Sequence, residues 1–291
     1  MYYGKSMKRI LVTGATGFVG NSLVDKLIEC DNEVIPIGRS MKPWTSKFVK
    51  ENLLKIDLIK DELPNLGVID CVCILGALQP LGNNDWENYY QINSNQIFKF
   101  FSSKINQIIY VSTTSVNLVN GIPDPLNYYG LSKALGESLL KINKYRFNQT
   151  TILRFPSIIG VNHHGGIIHD LRIMAKNNDE IVLYDKGRKY RNIIYIDFVI
   201  DQIINIVNSS KRLSNCEIFN IGSKESNTLS AIADMLVKNM KSKSEIKLSK
   251  KVTLSNDVYV DNTIAISKLL YNPPTIEDCI KLYLKDYNYK V

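Results

Sequence analysis

The chain has 291 residues, 45% hydrophobic and 22% charged, the balance of a folded globular protein and not of a disordered or fibrous one. Its formal charge of +8 at pH 7 comes from lysines spread along the chain, not packed into basic blocks, which argues against a nucleic-acid partner and suits a small phosphorylated ligand. Cys30, Cys71, Cys73, Cys216 and Cys279 are odd in number and scattered, without disulfide or zinc spacing; no apolar run suits a membrane span or a signal peptide, so a reducing cytoplasm is expected.

In chain order, Arg9–Thr13 (RILVT) is a near-continuous apolar run ending at a glycine, which reads as a buried central strand. Phe18–Glu29 follows as a helix with Val19, Leu23, Val24, Leu27 and Ile28 on one stripe. Further strands are expected at Glu33–Ile37, Leu53–Asp57, Cys71–Leu75, Gln107–Ser112 and Thr150–Phe155, with helices near Asn88–Lys104 and Tyr129–Asn143. Cys71 and Cys73 alternate within such a strand and are expected as buried, reduced thiols. This alternation predicts an α/β fold with a doubly wound parallel sheet, which takes its ligand beyond the carboxyl ends of the strands.

After Phe155 the pattern loosens. A loop at Gly160–Gly166 precedes a helix at Ile167–Ala175, a strand at Arg191–Ile196 and a helix at Asp197–Asn208. A strand at Glu217–Ile221, a helix at Leu229–Met240, a charged strand and a helix at Thr275–Lys285 complete the chain, which reads as a smaller C-terminal lobe. His163 and His164, with His169 beyond, lack the acidic or thiol company of a metal site, so no metal is expected.

Two motifs carry chemistry. Thr13–Gly20 (TGATGFVG) sets Gly14, Gly17 and Gly20 between a strand and a helix, the arrangement that lets backbone approach a pyrophosphate at a helix N-terminus. The second strand ends Ile37-Gly38-Arg39-Ser40, with no carboxylate for a ribose 2′-hydroxyl, and Arg39 with Ser40 suits the 2′-phosphate of NADP; NAD stays as the alternative. Tyr129 and Lys133 stand four apart in YGLSK, on one helix face, where an ammonium would favour the phenolate of a tyrosine whose ordinary pKa is about 10. The strand before them ends in Ser112-Thr113-Thr114, hydroxyls able to meet the same ligand oxygen.

With these motifs in order, the chain resembles the extended short-chain dehydrogenase/reductase family, in particular its nucleotide-sugar epimerases, dehydratases and ketoreductases. The resemblance runs through Asp57-Leu58, Leu75-Gly76-Ala77, Asn93, Glu137, LRFPSIIG at Leu153–Gly160, Arg191–Asp197 and Phe219–Gly222. It implies a Rossmann domain for NAD(P) at 1–158 with 193–222, and a nucleotide-sugar lobe at 159–192 with 223–291. It implies Tyr129 as acid/base at the sugar C4 oxygen, Thr113 as its hydrogen-bonding companion, and Lys133 as the residue that lowers the phenol and holds the ribose. Cofactor contacts are implied at Gly14, Thr16, Gly17, Phe18, Val19, Gly20, Arg39, Ser40, Asp57, Leu58, Leu75, Gly76, Ala77 and Phe155, and substrate contacts at Thr113, Ser157 and Arg191. A homodimer through the two helices Asn88–Lys104 and Tyr129–Asn143 is implied as well.

Departures from the family pattern narrow the reaction. Thr114 and Ser115 replace the acidic pair of the 4,6-dehydratases, and no cysteine lies near Ser115 as in enzymes that also epimerise C3 or C5. Ser157 stands where many relatives carry a substrate-touching asparagine. The expectation is an NADP-dependent reductase of the C4 ketone of a nucleotide-diphosphate deoxysugar, with a 4-epimerase as the alternative. A non-catalytic dinucleotide sensor is the rival from a different class, disfavoured by the retention of Thr113, Tyr129 and Lys133 together.

Overall fold

The computed structural model describes residues 7–80, 85–101, 104–116, 118–119, 122–209, 215–253 and 255–288. The chain divides into two compact units, the first running to Arg154 and taking back Gln202–Phe219, the second holding Phe155–Asp201 and the chain from Asn220 onward.

The first unit alternates strand and helix: β1 (Arg9–Thr13), α1 (Phe18–Glu29), β2 (Glu33–Gly38), α2 (Lys47–Asn52), β3 (Leu54–Lys55), β4 (Ile69–Ile74), α3 (Trp86–Asn93), β5 (Ile105–Thr113), α4 (Tyr128–Ile142), β6 (Gln149–Phe155) and β7 (Cys216–Asn220). They form one seven-stranded sheet in the order β7-β6-β5-β4-β1-β2-β3. The pairs β1–β2, β1–β4, β2–β3 and β4–β5 are parallel. Register brings the carboxyl ends level, with Thr13 opposite both Ile37 and Ile74, and Ile74 opposite Tyr110. Ile10, Leu11, Val12, Cys71, Val72, Cys73, Ile74, Ile108, Ile109 and Tyr110 are all buried, as expected of parallel strands covered on both faces. All five cysteines are free thiols. Strand order reverses between β1 and β4, the switch point at which doubly wound sheets open a ligand crevice.

Three elements depart from the sequence pattern, the first and the last of them through side chains that bond inward. The helix predicted over Asn88–Lys104 ends at Asn93 and continues as a tighter 3₁₀ segment over Asn95–Phe100. There Asn93 Nδ2 donates to Ser132 Oγ, Ser94 Oγ donates to the Ser132 carbonyl, and Gln96 Nε2 donates to the Gly76 carbonyl. The third strand shrinks to Leu54–Lys55, a short edge. The strand predicted over Arg191–Ile196 splits at Asn192, whose buried amide donates to the Ser223 and Glu225 carbonyls.

In the second unit the two halves of that split take different partners. Tyr190–Arg191 pairs antiparallel with Asn227–Thr228, while Ile193–Tyr195 pairs parallel with Ser157–Ile159. Ile181–Leu183 and Ile246–Leu248 make a third small sheet. Helices Ile167–Asn177, Leu229–Met240, Thr263–Leu269 and Ile276–Asp286 accompany them; the last opens with a capping box of Thr275 and Asp278. The short helix Thr263–Leu269 and the strand Ile181–Leu183 were not expected, being too brief to show a period. Among the described residues no helix is long and apolar enough to cross a membrane.

Candidate active site

The turn after β1 is built by the absence of side chains. Gly14 has φ +67°, and a Cβ there would stand 2.7 Å from Gly76 Cα, so the ends of β1 and β4 meet backbone to backbone. A Cβ on Gly20 would lie 2.2 Å from the Gly14 carbonyl oxygen, which is why α1 can begin directly against the turn. Thr13 Oγ1 accepts from the Leu75 and Gly76 amides at 3.2 and 3.1 Å and locks the two strand ends together. The N-terminus of α1 has no side-chain cap and no acidic residue in its first turn, leaving a positive helix end beside bare backbone. This arrangement fits a dinucleotide pyrophosphate.

Thr16, Gly17, Phe18 and Val19 lie within this turn and helix start. Beyond β2, Arg39 and Ser40 are exposed, and Gly38 lies so near Thr16 that a Cβ there would stand 3.2 Å from its Oγ1. Asp57 and Leu58 follow the edge strand, tied to β2 by the Ile56 amide on the Gly38 carbonyl; Asp57 Oδ1 accepts from the Ile59 amide at 3.0 Å, and Leu58 is buried. Leu75, Gly76 and Ala77 are half-buried after β4.

A second cluster forms where β5 ends against α4. Thr113 closes β5, and Asn127 caps α4 by accepting from the Gly130 amide at 2.8 Å, which sets Tyr129 in the first turn. The Tyr129 phenol is hydrogen-bonded to the Thr113 hydroxyl, and Tyr89 of α3 meets its ring at 6.5 Å in an edge arrangement. Thr113 Oγ1 also accepts from the Ser115 amide at 3.1 Å, which turns the chain into the Thr114–Val116 segment. Thr114 and Ser115, standing where a dehydratase would carry its acids, offer hydroxyls only.

Lys133 follows one turn later, 2% exposed, and its Nζ donates to the Val111 carbonyl at 2.8 Å while lying 4.7 Å from the centre of the Tyr110 ring. Burial pulls this amine down to about 7, and the Glu137 carboxylate one further turn along α4 acts against that fall. Burial lifts the Tyr129 phenol to about 12, opposed by the Thr113 hydroxyl. The spacing predicts an ammonium that lowers the phenol. In the structure Lys133 instead turns to the β5 backbone, and Thr113 is the group that favours the phenolate. A four-residue interval fixes the shared helix face but not the direction of a flexible lysine stem.

Of the residues expected to touch substrate, Thr113 lies in the first unit and Ser157 and Arg191 in the second. Ser157 is exposed at the start of its strand. Arg191 is not a free guanidinium: Nη1 donates to the Tyr190 and Asn256 carbonyls, each at 2.8 Å, and Nη2 to Ser255 Oγ at 3.0 Å. Phe155 is buried. The His164 and His169 rings pair edge to face at 5.9 Å, and burial and the neighbouring imidazoles hold His163 below its ordinary range.

Sequence reasoning passed over Tyr89 and Arg154. Arg154 pairs with Glu137, and the signal was present as an arginine inside an otherwise apolar strand.

Comparison with known proteins accords with this geometry. The profile of the NAD dependent epimerase/dehydratase family matches residues 10–222, and the chain belongs to that family, whose members are enzymes. It is 24% identical over 92% of its length to the uncharacterised UDP-glucose epimerase YtcB of Bacillus subtilis (strain 168), covering 93% of that protein. It is 23% identical to the dTDP-4-dehydro-6-deoxyglucose reductase of Escherichia coli, over 92% of this chain and 94% of that one. The UDP-glucuronic acid 4-epimerase of Bacillus cereus, solved with UDP-glucuronic acid and NAD, shares the fold at a TM-score of 0.83 and 23% identity, over 96% of this chain and 99% of that one.

Proposed function

We propose that this member of the family is an NADP-dependent oxidoreductase that reduces the C4 ketone of a nucleotide-diphosphate deoxysugar. One observation carries the reading: Thr113 closes β5 against Tyr129 in the first turn of α4, a hydroxyl and a protonated phenol set together with Lys133 one turn on, the donors a carbonyl oxygen needs. A ketone oxygen becoming an alcohol needs a proton, and a neutral phenol holds one ready; removing a proton from an alcohol would need the phenolate. A bound dinucleotide supplies the nicotinamide that delivers hydride to the carbon. Tyr129 gives its proton to the C4 oxygen, Thr113 holds that oxygen by its hydroxyl, and Lys133 would take the ribose hydroxyls.

The turn at Thr13–Gly20 and the N-terminus of α1 would hold the pyrophosphate, with Asp57, Leu58, Leu75, Gly76 and Ala77 lining the dinucleotide. Arg39 and Ser40 suit a 2′-phosphate, and β2 ends on Gly38 where a carboxylate would be needed for a 2′-hydroxyl. Arg191 is assigned to the diphosphate of the sugar nucleotide and would exchange its Ser255 and carbonyl partners for phosphate oxygens. Exposed Tyr128 and Leu131 of α4, with exposed Phe98 after α3, support a homodimer through these helices, which sedimentation tests by mass.

A 4-epimerase using NAD is the second reading, favoured by the likeness to the Bacillus cereus UDP-glucuronic acid 4-epimerase solved with NAD and to the Bacillus subtilis protein named as an uncharacterised UDP-glucose epimerase. A panel of nucleotide-diphosphate 4-keto sugars with NADPH separates the two. Stoichiometric loss of NADPH, with a 4-hydroxy product by NMR, supports the reductase. Interconversion of UDP-glucose or UDP-glucuronic acid with its C4 epimer, without added reductant, supports the epimerase. Neither outcome would remove both.

A further inference from the structure

Behind Lys133 lies a charge cluster that the proton transfer at Tyr129 does not use. Glu137 is 1% exposed, yet both its carboxylate oxygens are engaged. Ser112 Oγ donates to Oε1 at 2.7 Å, Arg154 Nε donates to Oε1 at 2.8 Å, and Arg154 Nη2 reaches Oε2. Arg154 is itself buried on β6. The cluster therefore joins three elements: β5 through Ser112, α4 through Glu137 and β6 through Arg154.

Its position relative to Lys133 is specific. Glu137 follows Lys133 by one helical turn, and the strand residue bonded to Glu137, Ser112, adjoins the one whose carbonyl receives Lys133 Nζ, Val111. The same strand–helix contact thus fixes the amine and the carboxylate together. We propose that Glu137, clamped by Ser112 and Arg154, is a positioning residue that keeps Lys133 charged and anchored at the end of β5, so that the ammonium is in place for the dinucleotide. Its functional meaning rests on the redox reading above; the electrostatics do not.

The charges make this more than packing. Burial drives Lys133 toward its neutral form, and the Glu137 carboxylate opposes that fall. The other ionisable groups around the cluster are Tyr110 on β5, Tyr129 on α4, Arg154 on β6 and Cys216 on β7. Tyr110 and Cys216 are both held above their ordinary ranges by burial, with Glu137 adding to the rise, so neither carries charge at neutral pH. Arg154, bonded to Glu137 through Nε and Nη2, holds the carboxylate in place.

The probe is the full chain labelled at its lysine side chains, with the Lys133 resonance assigned through Lys133→Met and titrated by NMR. Glu137→Gln should lower the Lys133 pKa by about one unit or more, and Arg154→Met, which releases the carboxylate, should lower it by less. Glu137→Asp, keeping the charge, should restore the wild-type titration and serves as the measurement if Glu137→Gln does not fold. A Lys133 pKa unchanged in Glu137→Gln, or lowered as far in Glu137→Asp as in Glu137→Gln, would show a structural role alone and overturn the proposal. The readout needs no turnover: expected shifts in a protein inactive on every sugar nucleotide would leave the positioning role standing and sink the redox reading.

Discussion

The turn after β1 and the cluster between β5 and α4 lie in the same unit, and they prepare for ligands in opposite ways. The turn works by omission: Gly14 and Gly20 leave backbone against backbone where a single Cβ would collide. The cluster works by commission, burying Thr113, Tyr129, Lys133, Glu137 and Arg154 with their polar atoms satisfied by one another or by backbone. Omission leaves backbone open to close approach, with no side chain to choose among ligands. Buried, mutually bonded side chains make a site whose protonation is set in advance.

The sharpest break of this comparison is Tyr129→Phe. Losing the acid should lower kcat by roughly a hundredfold to ten-thousandfold, while dinucleotide affinity, owed to the glycine turn, stays near wild type. Steady-state kinetics with a binding titration checks it; equal turnover would remove the tyrosine mechanism. Next comes Gly20→Ala, whose Cβ falls 2.2 Å from the Gly14 oxygen. Backbone must move, so a loss of about 3 kcal/mol in urea unfolding is expected, together with the dinucleotide site. An unchanged midpoint would show that the turn has slack.

Lys133 gives a pH signature to the cluster. Its folded value of about 7 lies below its ordinary 10.5, so between them the unfolded chain binds the additional proton and stability rises with pH. The gain between pH 7 and pH 9 should be about 2 kcal/mol, and Lys133→Met should flatten it. Tyr129 acts in the other sense: its folded value of about 12 exceeds the ordinary 10, so its contribution is whole below 10 and lost on passing 12. Urea midpoints across that range measure both. The smallest expected effect is Arg39→Ala, which should weaken NADP about tenfold and leave NAD nearly unchanged, since one exposed guanidinium on a phosphate contributes modestly. Equal losses for both dinucleotides would move the 2′-phosphate elsewhere.

The turn was legible in the sequence because its glycines are explicit and local, each needed within a few residues of its neighbours. The cluster was legible only by residue type. Tyr129, Lys133 and Thr113 could be named, but the lysine's orientation could not, and the expected ammonium–phenol pairing gave way to a bond with Val111. Arg154 escaped because its partner lies 17 residues away and on another element. Asn192 likewise looked like a residue inside a strand, until its amide bonds to Ser223 and Glu225 divided that strand in two.

From the amino-acid order alone came the alternation of strand and helix, the glycine turn and the list of reactive groups, because these depend on period and spacing along the chain. Only the folded structure decided which hydroxyl meets the phenol, where the amine points and which buried carboxylate supports its charge. Those depend on desolvation and on contacts between elements far apart in sequence, which no local pattern encodes.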